Sequence, residues 1–386
     1  MKILLLSSLE HQSGSALRFR GIAGALARAG HRVHLLEPYP PGTEPETPPG
    51  VHRLGCPRLP GPPIPQAPLW LLAGLWALAR VQPRVVYTLK ALPNVWVPAR
   101  LARAGGRTVV ADLDDLDYGY YPPGWARAVV RHYFDRAIRE ADFVTVHNRT
   151  MARRVDAVRG PGRRALFVDQ GIEVERFARA RAPEGLARRL GLADGPVLLY
   201  AGHLGPASDL GHILPALAPV AERRPDARLL VVGDGECRAS LEALARRSLP
   251  GGFCVFAGAV AHRDVPGYFA LAHLSLNYLA PNHANRFRAS IKTREALAAG
   301  VPVVASRTAD NGRFAPFVRF PEDPSPEAFA RAVWEELEHP HPERARAGAE
   351  HLRRHGGWDA AARELVALLA RLEGGAERGR LRHRSG

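Results

Sequence analysis

Short apolar runs alternate with amphipathic stretches along the first half of the chain. Predicted strands occupy residues 3–6, 33–36, 85–89, 108–111, 143–146 and 166–169, and a Pro- and Gly-rich connection over 38–68 carries one more at 51–54. Apolar residues recur at helical spacing over 16–29, 69–81, 95–104 and 125–140. Apolar strands separated by helices are typical of parallel sheets that are covered on both faces. The pattern predicts an α/β fold with a doubly wound, Rossmann-like sheet.

The second half of the chain repeats this alternation. Predicted strands lie at 197–201, 228–232, 253–256, 274–277, 301–305 and 317–320, and predicted helices follow at 326–337 and 360–372. We therefore expect a first domain over 1–175, a linker near 175–195 and a second Rossmann-like domain over 195–355. A helical segment at 356–373 and a basic tail at 374–386 follow. The tail is rich in Gly and Arg, which predicts disorder.

The stretch 282–306 combines a helix start with basic side chains. Ser290 is a typical N-cap residue, residues 291–299 are good helix formers, and Gly300 ends the helix. The basic residues near the helix start are Arg286, Arg288, Lys292 and Arg294. Unpaired N–H groups, the positive end of the helix dipole and these cations together favour a phosphate-bearing ligand. Glu295 lies near the first turn, where its carboxylate can accept hydrogen bonds from hydroxyl groups.

This stretch resembles the donor-site motif of GT-B glycosyltransferases, in particular the large retaining family four (group 1). The family pattern Glu-Ala-x-Ala-x-Gly-x-Pro-Val-Val is matched by Glu295, Ala296, Ala298, Gly300, Pro302, Val303 and Val304. The resemblance implies a GT-B arrangement, in which two Rossmann-like domains face each other across a cleft. It also implies that Glu295 binds the ribose of a sugar nucleotide, and Lys292 stands where one branch of the family carries lysine. Many members have a second Glu that touches the donor sugar, and this chain has Phe287 there.

Two glycine-containing turns precede this stretch, each after a predicted strand. Gly202-His203-Leu204-Gly205 follows 197–201, and Gly233-Asp234-Gly235 follows 228–232. Such turns are either plain strand-to-helix connections or places where backbone N–H groups approach a phosphate. Ser208 or Asp209 is the predicted cap of the helix after the first turn. The resemblance implies the second alternative: a diphosphate loop and then a turn beside the nucleobase. The family usually has Arg or Lys in the diphosphate loop, so binding here would depend on Arg288, Lys292 and backbone N–H groups.

The predicted donor-binding residues are therefore Gly202, His203, Gly205, Gly233, Gly235, Arg288, Ser290, Ile291, Lys292 and Glu295. The turn His355-Gly356-Gly357-Trp358 resembles the aromatic turn before the last family helix. That resemblance implies that the helix within 356–373 packs back on the first domain.

Candidate residues in the first domain follow its strands. Ser13 and Gly14 lie in a loop that weakly resembles the Gly-rich first loop of the family's acceptor-binding domain. Lys90 ends a predicted strand, where it is either a surface residue or a contact to an anionic group of the acceptor. The acidic residues Asp112, Asp114, Asp115 and Asp117 follow the next strand. They suit a solvated loop, a base for the acceptor hydroxyl, contacts to sugar hydroxyls or, as a minor alternative, a divalent metal ion. Asp114 and Asp115, with Lys292, are the predicted catalytic residues; no metal site is predicted, since nothing else supplies ligands.

Composition adds a strong basic bias. The chain of 386 residues has 53 Lys and Arg against 38 Asp and Glu, a formal charge of +15, and only three of the bases are lysine. This bias reflects either composition or an anionic partner such as a membrane surface. A nucleic-acid partner is not predicted, because aromatic residues are few and form no basic–aromatic stripe.

Three scattered cysteines argue against a disulfide framework. No signal peptide or spanning segment is predicted, and the apolar 69–81, with Trp70 and Trp76, is either core or a membrane-surface wedge.

The leading hypothesis is a retaining, metal-independent glycosyltransferase that uses a nucleotide-diphosphate sugar and no cofactor. Its acceptor would be a hydroxyl of a glycan or of a lipid-linked molecule, as in polysaccharide biosynthesis. We expect a cytoplasmic protein and leave open a peripheral position at the inner membrane face. Two alternatives stand beside this hypothesis: a non-catalytic partner subunit that binds sugar nucleotide or glycan, and a sugar-nucleotide epimerase of similar fold.

Overall fold

The computed structural model describes residues 1–7, 14–40, 46–56, 58–60, 64–192, 195–308 and 310–382. The chain divides into two compact units. The first unit is Met1–Gly171 together with the segment from Trp358 onward, and the second is Ile172–Gly357. Each unit is built on a parallel sheet.

The first unit contains a seven-stranded parallel sheet in the order β3-β2-β1-β4-β5-β6-β7. Its strands are β1 Lys2–Leu6, β2 Arg32–Leu36, β3 Val51–Leu54, β4 Val85–Leu89, β5 Thr108–Asp112, β6 Phe143–Val146 and β7 Leu166–Phe167. All five residues of β4 are buried, because β4 lies in the middle of the sheet with both faces covered. The strand order reverses between β1 and β4: β2 and β3 follow on one side, and β5 to β7 follow on the other. In doubly wound folds, ligands bind outside the carboxyl ends of the strands at such a reversal.

The helices of this part of the chain are α1 Gly14–Arg28, α2 Ala67–Val81, α3 Pro93–Ala104, α4 Trp125–Glu140 and α5 Arg149–Arg159. Helix α1 buries Phe19, Ile22 and Leu26 in a core with the strands. Each such side chain contributes roughly 1.5–3 kcal/mol through burial. Helix α2 packs against α3, and α3 packs against α4.

The second unit contains a five-stranded parallel sheet in the order β10-β9-β8-β11-β12. Its elements are α6 Val174–Ala178, α7 Leu186–Arg189, β8 Val197–Ala201, α8 Leu210–Ala216, α9 Ala218–Arg223, β9 Arg228–Val232, α10 Arg238–Ser248, β10 Cys254–Gly258, α11 Val265–Phe269, β11 Leu274–Asn277, α12 Ile291–Ala298, β12 Val303–Ala305, α13 Pro326–Glu338 and α14 Pro342–His355. The five residues of β8, the central strand, are all buried.

The chain then returns to the first unit through α15 Trp358–Ala361 and α16 Arg363–Arg382. A Cβ at Gly21 would lie 2.0 Å from the Trp358 ring, so only glycine leaves room for this indole on α1. The amino terminus contacts Glu373 at 3.0 Å. Helix α16 extends past 373, where the sequence predicts the ordered chain to end. Leu365 and Leu369 in its first turns lie in the core of the first unit.

The two Rossmann-like parallel sheets confirm the predicted fold class. The predicted strand at 317–320 is wrong: only one bridge, between Val304 and Arg319, continues the sheet beyond β12. The sequence interpretation also missed α14, whose buried face recurs at helical spacing but consists mainly of small residues. None of the described helices is long and apolar enough to cross a bilayer.

Candidate functional site

Lys292 lies at the start of α12, directly against the end of β8. A Cβ at Gly202 would be 2.4 Å from Lys292 Cε, so the backbone after β8 and the lysine side chain are in close contact. Gly202 has a φ of +152°, a conformation that other residues rarely adopt. Lys292 Nζ donates to the Tyr200 hydroxyl at 2.9 Å and lies 4.3 Å from the centre of the Tyr200 ring. Tyr200 in β8 and Gly202 directly after it therefore both contact the Lys292 side chain and position it.

The two glycine turns are joined to each other. Leu204 N donates to Asp234 O at 2.9 Å, and Cys237 N donates to Leu204 O at 2.8 Å. A Cβ at Gly233 would lie 2.0 Å from the carbonyl oxygen of Gly202. These contacts make the predicted diphosphate loop and the predicted nucleobase turn one continuous backbone surface, which explains why glycines recur there.

Side chains reinforce this junction. His203 Nε2 lies 2.9 Å from a Glu236 carboxylate oxygen, and both side chains are more than half exposed. Cβ atoms at Gly205 and Gly235 would each lie 2.8 Å from the His203 ring. The imidazole therefore fits between the two turns only because both neighbours are glycines. Glu236 carries no signal in the sequence, because its partner lies 33 residues away on another turn.

The start of α12 has no side-chain cap from any described residue. Ser290 occupies the predicted N-cap position, but its hydroxyl accepts from Asn277 Nδ2 at 2.6 Å instead of capping the helix. Ser290 N donates to Asp310 Oδ1 at 3.2 Å. The N–H groups that begin with Ile291 therefore keep the capacity to bind an anion.

The predicted cluster of cations at this helix is smaller than expected. Arg294 is buried, donates to Asp310 Oδ2 at 2.6 Å and stacks on Phe314, so it holds the loop after β12 and is not free to meet a phosphate. Arg288 donates to Ala207 O at 2.9 Å, which ties it to the β8–α8 loop. Helical periodicity explains the error for Arg294, since it lies two residues after Lys292 and points into the protein.

Glu295 is paired with a histidine that the sequence interpretation did not single out. Its Oε1 lies 3.1 Å from His262 Nε2. Glu295 is 5% exposed, whereas the His262 side chain is 28% exposed. The imidazole therefore holds the carboxylate in one orientation, with the second carboxylate oxygen left for another donor such as a ligand hydroxyl.

Two other expectations for this unit change. Asp209 does not cap the next helix: its Oδ2 accepts from Asn285 Nδ2 at 2.7 Å and from Ala280 N at 3.1 Å, which fixes the loop before α12. Ser208 is not a cap either, since it lies in a turn before that helix.

Phe287, which stands where many family members have a second Glu, is buried and packs edge-on against His283, with ring centres 5.3 Å apart. Its side chain is therefore part of the packing beneath the loop.

The first unit holds a separate group of charged residues at the carboxyl ends of β4 and β5. Arg18 donates to both carboxylate oxygens of Asp112, at 2.9 and 3.2 Å, and both side chains are fully buried. Lys90 has a φ of +63° and donates to Asp114 at 2.9 Å and to Asp117 at 2.6 Å. The predicted residue Lys90 is thus buried among carboxylates and is not a surface residue.

Two of the three carboxylates around Lys90, those of Asp114 and Asp117, have pKa values shifted in opposite directions. Burial opposes ionisation of Asp114, but the Lys90 ammonium outweighs it and lowers the Asp114 pKa to about 2. Burial raises the pKa of Asp117 to about 7, with Asp114 and Asp115 adding to the effect of burial. The Asp115 side chain is 21% exposed and lies 3.9 Å from Lys90. Asp117, which was not among the predicted catalytic residues, therefore has a pKa that suits proton transfer near neutral pH.

His147 completes this group from the end of β6. It is buried, and neither ring nitrogen has a hydrogen-bond partner among the described residues. Burial and the nearby Arg18 lower its pKa, so the neutral imidazole is favoured.

Of the two predicted acceptor-binding residues in the first loop, Gly14 begins α1, whereas Ser13 lies outside the described residues. In the described part of the chain, no group of three His, Cys, Asp or Glu side chains is arranged to hold a metal ion.

Two family profiles match the chain, one on each unit. The profile described as glycosyl transferases group 1 matches residues 195–339, and that of the glycosyl transferase 4-like domain matches residues 13–171. A curated relative from Mycolicibacterium smegmatis is named GDP-mannose-dependent alpha-(1-6)-phosphatidylinositol monomannoside mannosyltransferase. It is 29% identical over 53% of this chain and 54% of its own length. The chain spans about half the length of the curated relatives it matches.

Solved structures are similar over nearly the whole chain. Sucrose-phosphate synthase from Thermosynechococcus elongatus has a TM-score of 0.77 at 19% identity, covering 97% of this chain and all of that one. Anabaena HepE, solved with UDP and glucose, has a TM-score of 0.75 at 17% identity, covering 96% and 99%. At these identities the likeness concerns the fold.

Proposed function

Because this chain belongs to the GT-B glycosyltransferases of the family-four type, we propose that it transfers a sugar from a nucleotide-diphosphate sugar to an acceptor hydroxyl. One observation carries the proposal. The Lys292 ammonium, the uncapped start of α12 and the Gly202 backbone lie together at the end of β8. A lysine, free N–H groups and a glycine-opened backbone are the elements that bind a diphosphate.

The donor would use three parts of this site. The diphosphate would take the N–H groups at Ile291 and the Lys292 ammonium. The ribose hydroxyls would bind the free oxygen of Glu295, whose orientation His262 fixes at 3.1 Å. The nucleobase would lie beside the Gly233–Gly235 turn, as the family resemblance implies for a turn in this place. The curated relative's name, which specifies GDP-mannose, supports a nucleotide sugar of this kind.

In the reaction, the bond between the anomeric carbon and the diphosphate oxygen breaks, and a bond to the acceptor oxygen forms. The acceptor hydroxyl transfers its proton to a base, for which the carboxylates at the end of β5 are the candidates, and the leaving diphosphate gains negative charge. Lys292 and the helix N-terminus stabilise that charge in place, which is commonly the largest contribution to such catalysis. We propose that this positive charge makes the transfer independent of metal ions and cofactors, and that the configuration is retained as the family resemblance implies.

The acceptor remains a glycan or lipid-linked hydroxyl. The curated relative is named for a phosphatidylinositol monomannoside acceptor, which supports a lipid-linked molecule. Asp114 and Asp115 remain the predicted contacts to hydroxyl groups in the first unit, and Asp117, with a pKa of about 7, joins them as a proton acceptor.

We also propose a cytoplasmic protein that meets an anionic membrane through the α2–α3–α4 layer of the first unit. Leu72 and Trp76 on α2 are 63% and 51% exposed, and Trp125 on α4 is 70% exposed. Exposed Trp and Leu beside arginines suit a lipid–water interface. Leu72→Ser/Trp76→Ser should reduce sedimentation with anionic vesicles at low salt, and Val158→Ser on α5 is the control. If the Leu72→Ser/Trp76→Ser variant sediments with the vesicles as much as the Val158→Ser control does, the proposed membrane-binding surface is contradicted.

A thermal-shift screen against nucleoside-diphosphate sugars tests the proposed activity, since a bound donor stabilises the protein by mass action. We expect one donor class to raise Tm, and slow release of the nucleoside diphosphate on incubation. Binding without release favours the non-catalytic partner subunit, and a new sugar nucleotide without acceptor favours the epimerase. No shift with any donor contradicts the proposal.

A further inference from the structure

A cavity lined by arginines lies on the second unit, between the end of β12 and the start of α14. Its volume is about 410 Å3. Three arginines line it, Arg307, Arg319 and Arg344, and Pro316 and Phe320 supply an apolar wall. None of these residues belongs to the glycine turns or to α12, so this cavity has its own set of cations.

Arg319 is the fixed member of the three. Its guanidinium donates to Glu336 at 2.6 Å and to Glu335 at 2.9 Å, and its third nitrogen lies 3.1 Å from His341 Nδ1. The two carboxylates offset its charge, and the three contacts hold the planar group in one orientation. Three of its five N–H groups are engaged in these contacts, so Arg319 offers at most two further N–H donors, in a defined geometry, and no net charge.

Arg307 and Arg344 supply the net charge. The Arg307 guanidinium lies over the Phe320 ring, 4.3 Å from its centre, which fixes it without neutralising it. Arg344 is in the first turn of α14, a helix of 14 residues whose N-terminus adds partial positive charge. Neither arginine forms an ion pair with a carboxylate among the residues that the structure describes, although the exposed Glu343 is next to Arg344 in the sequence.

We propose that this cavity binds a phosphate or pyrophosphate group. Guanidinium groups recognise phosphate oxygens through paired, planar N–H donors, and a helix N-terminus favours the same charge. Two arginines without carboxylate partners leave the cavity positive in the absence of such an anion. The phosphate belongs either to a free small molecule or to a lipid headgroup, because both present the same oxygens to the cavity.

Titration calorimetry with inorganic pyrophosphate tests the site in full-length protein carrying Lys292→Ala, which removes the lysine of the proposed donor site. Arg307→Ala/Arg344→Ala in that background should bind pyrophosphate at least about tenfold more weakly. Arg246→Ala/Arg247→Ala removes the same charge from the exposed side of α10 and should bind as the Lys292→Ala parent does. Arg307→Gln/Arg344→Gln keeps more of the side-chain packing and should repeat the loss, with an unchanged Tm.

Equal affinity of the cavity variants and the parent overturns the proposal, as does an equal loss in the α10 control. Sedimentation with phosphatidic acid vesicles, against phosphatidylcholine vesicles, separates the two sources of phosphate. Loss of vesicle binding only in the cavity variants assigns the site to a lipid headgroup. Loss of pyrophosphate binding with unchanged vesicle binding assigns it to a free anion.

Discussion

The ammonium group of Lys292 donates a hydrogen bond to the hydroxyl of Tyr200 at 2.9 Å and lies over the ring of the same tyrosine. The Tyr200 hydroxyl in turn donates to the carbonyl oxygen of Ser208 at 3.0 Å, so its oxygen is turned towards the lysine. Tyr200 is fully buried in β8. The central strand thus orients the one lysine of the second unit's candidate site.

Lys292→Ala should lower turnover by roughly 10²–10³-fold, because removal of one group that stabilises developing charge commonly has this effect. The fold should persist, since the lysine lies at the start of a helix and is only partly buried. Steady-state kinetics and Tm together measure the two effects. Arg246→Ala is the charge-matched control, and a turnover equal to wild type in Lys292→Ala would refute the assigned role.

Tyr200→Phe should lower turnover less than Lys292→Ala does, because the ring below the ammonium remains while the hydroxyl is lost. The Ser208 carbonyl would lose its donor in a buried place, at a cost of about 1–3 kcal/mol in the free energy of unfolding. Denaturant unfolding and kcat measure these effects. A variant with lower stability but unchanged kcat would show that the tyrosine does not position the lysine.

Gly202→Ala should reproduce much of the Lys292→Ala defect while Lys292 is still present. The new methyl group would lie 2.4 Å from Lys292 Cε, and the φ of +152° strains any other residue. Gly251→Ala is the matched control, because a Cβ there meets nothing within 4 Å. Full activity of Gly202→Ala would mean that the lysine has room to move without consequence for the reaction.

Glu295→Gln should raise the KM for the donor roughly tenfold, as expected when one charge-assisted hydrogen bond to a hydroxyl is lost. His262→Ala should raise it less, because the carboxylate stays but its orientation, now set by the 3.1 Å contact, is relaxed. Kinetics at varied donor concentration distinguish the two. The control is Glu350→Gln on the exposed face of α14, and an unchanged KM in Glu295→Gln contradicts the ribose contact.

Asp117 should make the protein less stable as pH rises from about 4 to about 7. Burial raises its pKa to about 7 in the folded protein, so the folded state holds a proton that the unfolded state has released. The slope is at most on the order of 1 kcal/mol per pH unit, and it ends above pH 7. Asp114, whose pKa is lowered to about 2, acts in the opposite direction but only below about pH 4.

Asp117→Asn should therefore flatten the dependence of the unfolding free energy on pH between 4.5 and 7. Chemical denaturation at several pH values measures it, with Asp264→Asn, an exposed carboxylate, as the control. An identical slope in Asp117→Asn and wild type would show that Asp117 is already ionised in the folded protein.

The order of strands and helices was predictable from the sequence because periodicity records local geometry. Strands Val197–Ala201 and Arg228–Val232 of the second sheet lie where their apolar runs predict them. Helix α14 was missed although Ala345, Ala349 and Leu352 recur at helical spacing, because its buried face holds only one large apolar side chain, Leu352. The single bridge at Arg319 replaced a predicted strand because pairing depends on a neighbouring strand, which one segment does not encode.

The sequence by itself determined the two-sheet α/β fold and the motif that places Lys292 and Glu295 on one helix, since both are properties of residues close together in the chain. Only the tertiary structure decided what those residues contact. His262 contacts Glu295 from 33 positions away, Tyr200 contacts Lys292 from 92, and Asp310 holds Arg294 in a buried ion pair. Partners so distant in the chain leave no spacing to recognise, because the folding of the sheet, and not the local sequence, brings them together.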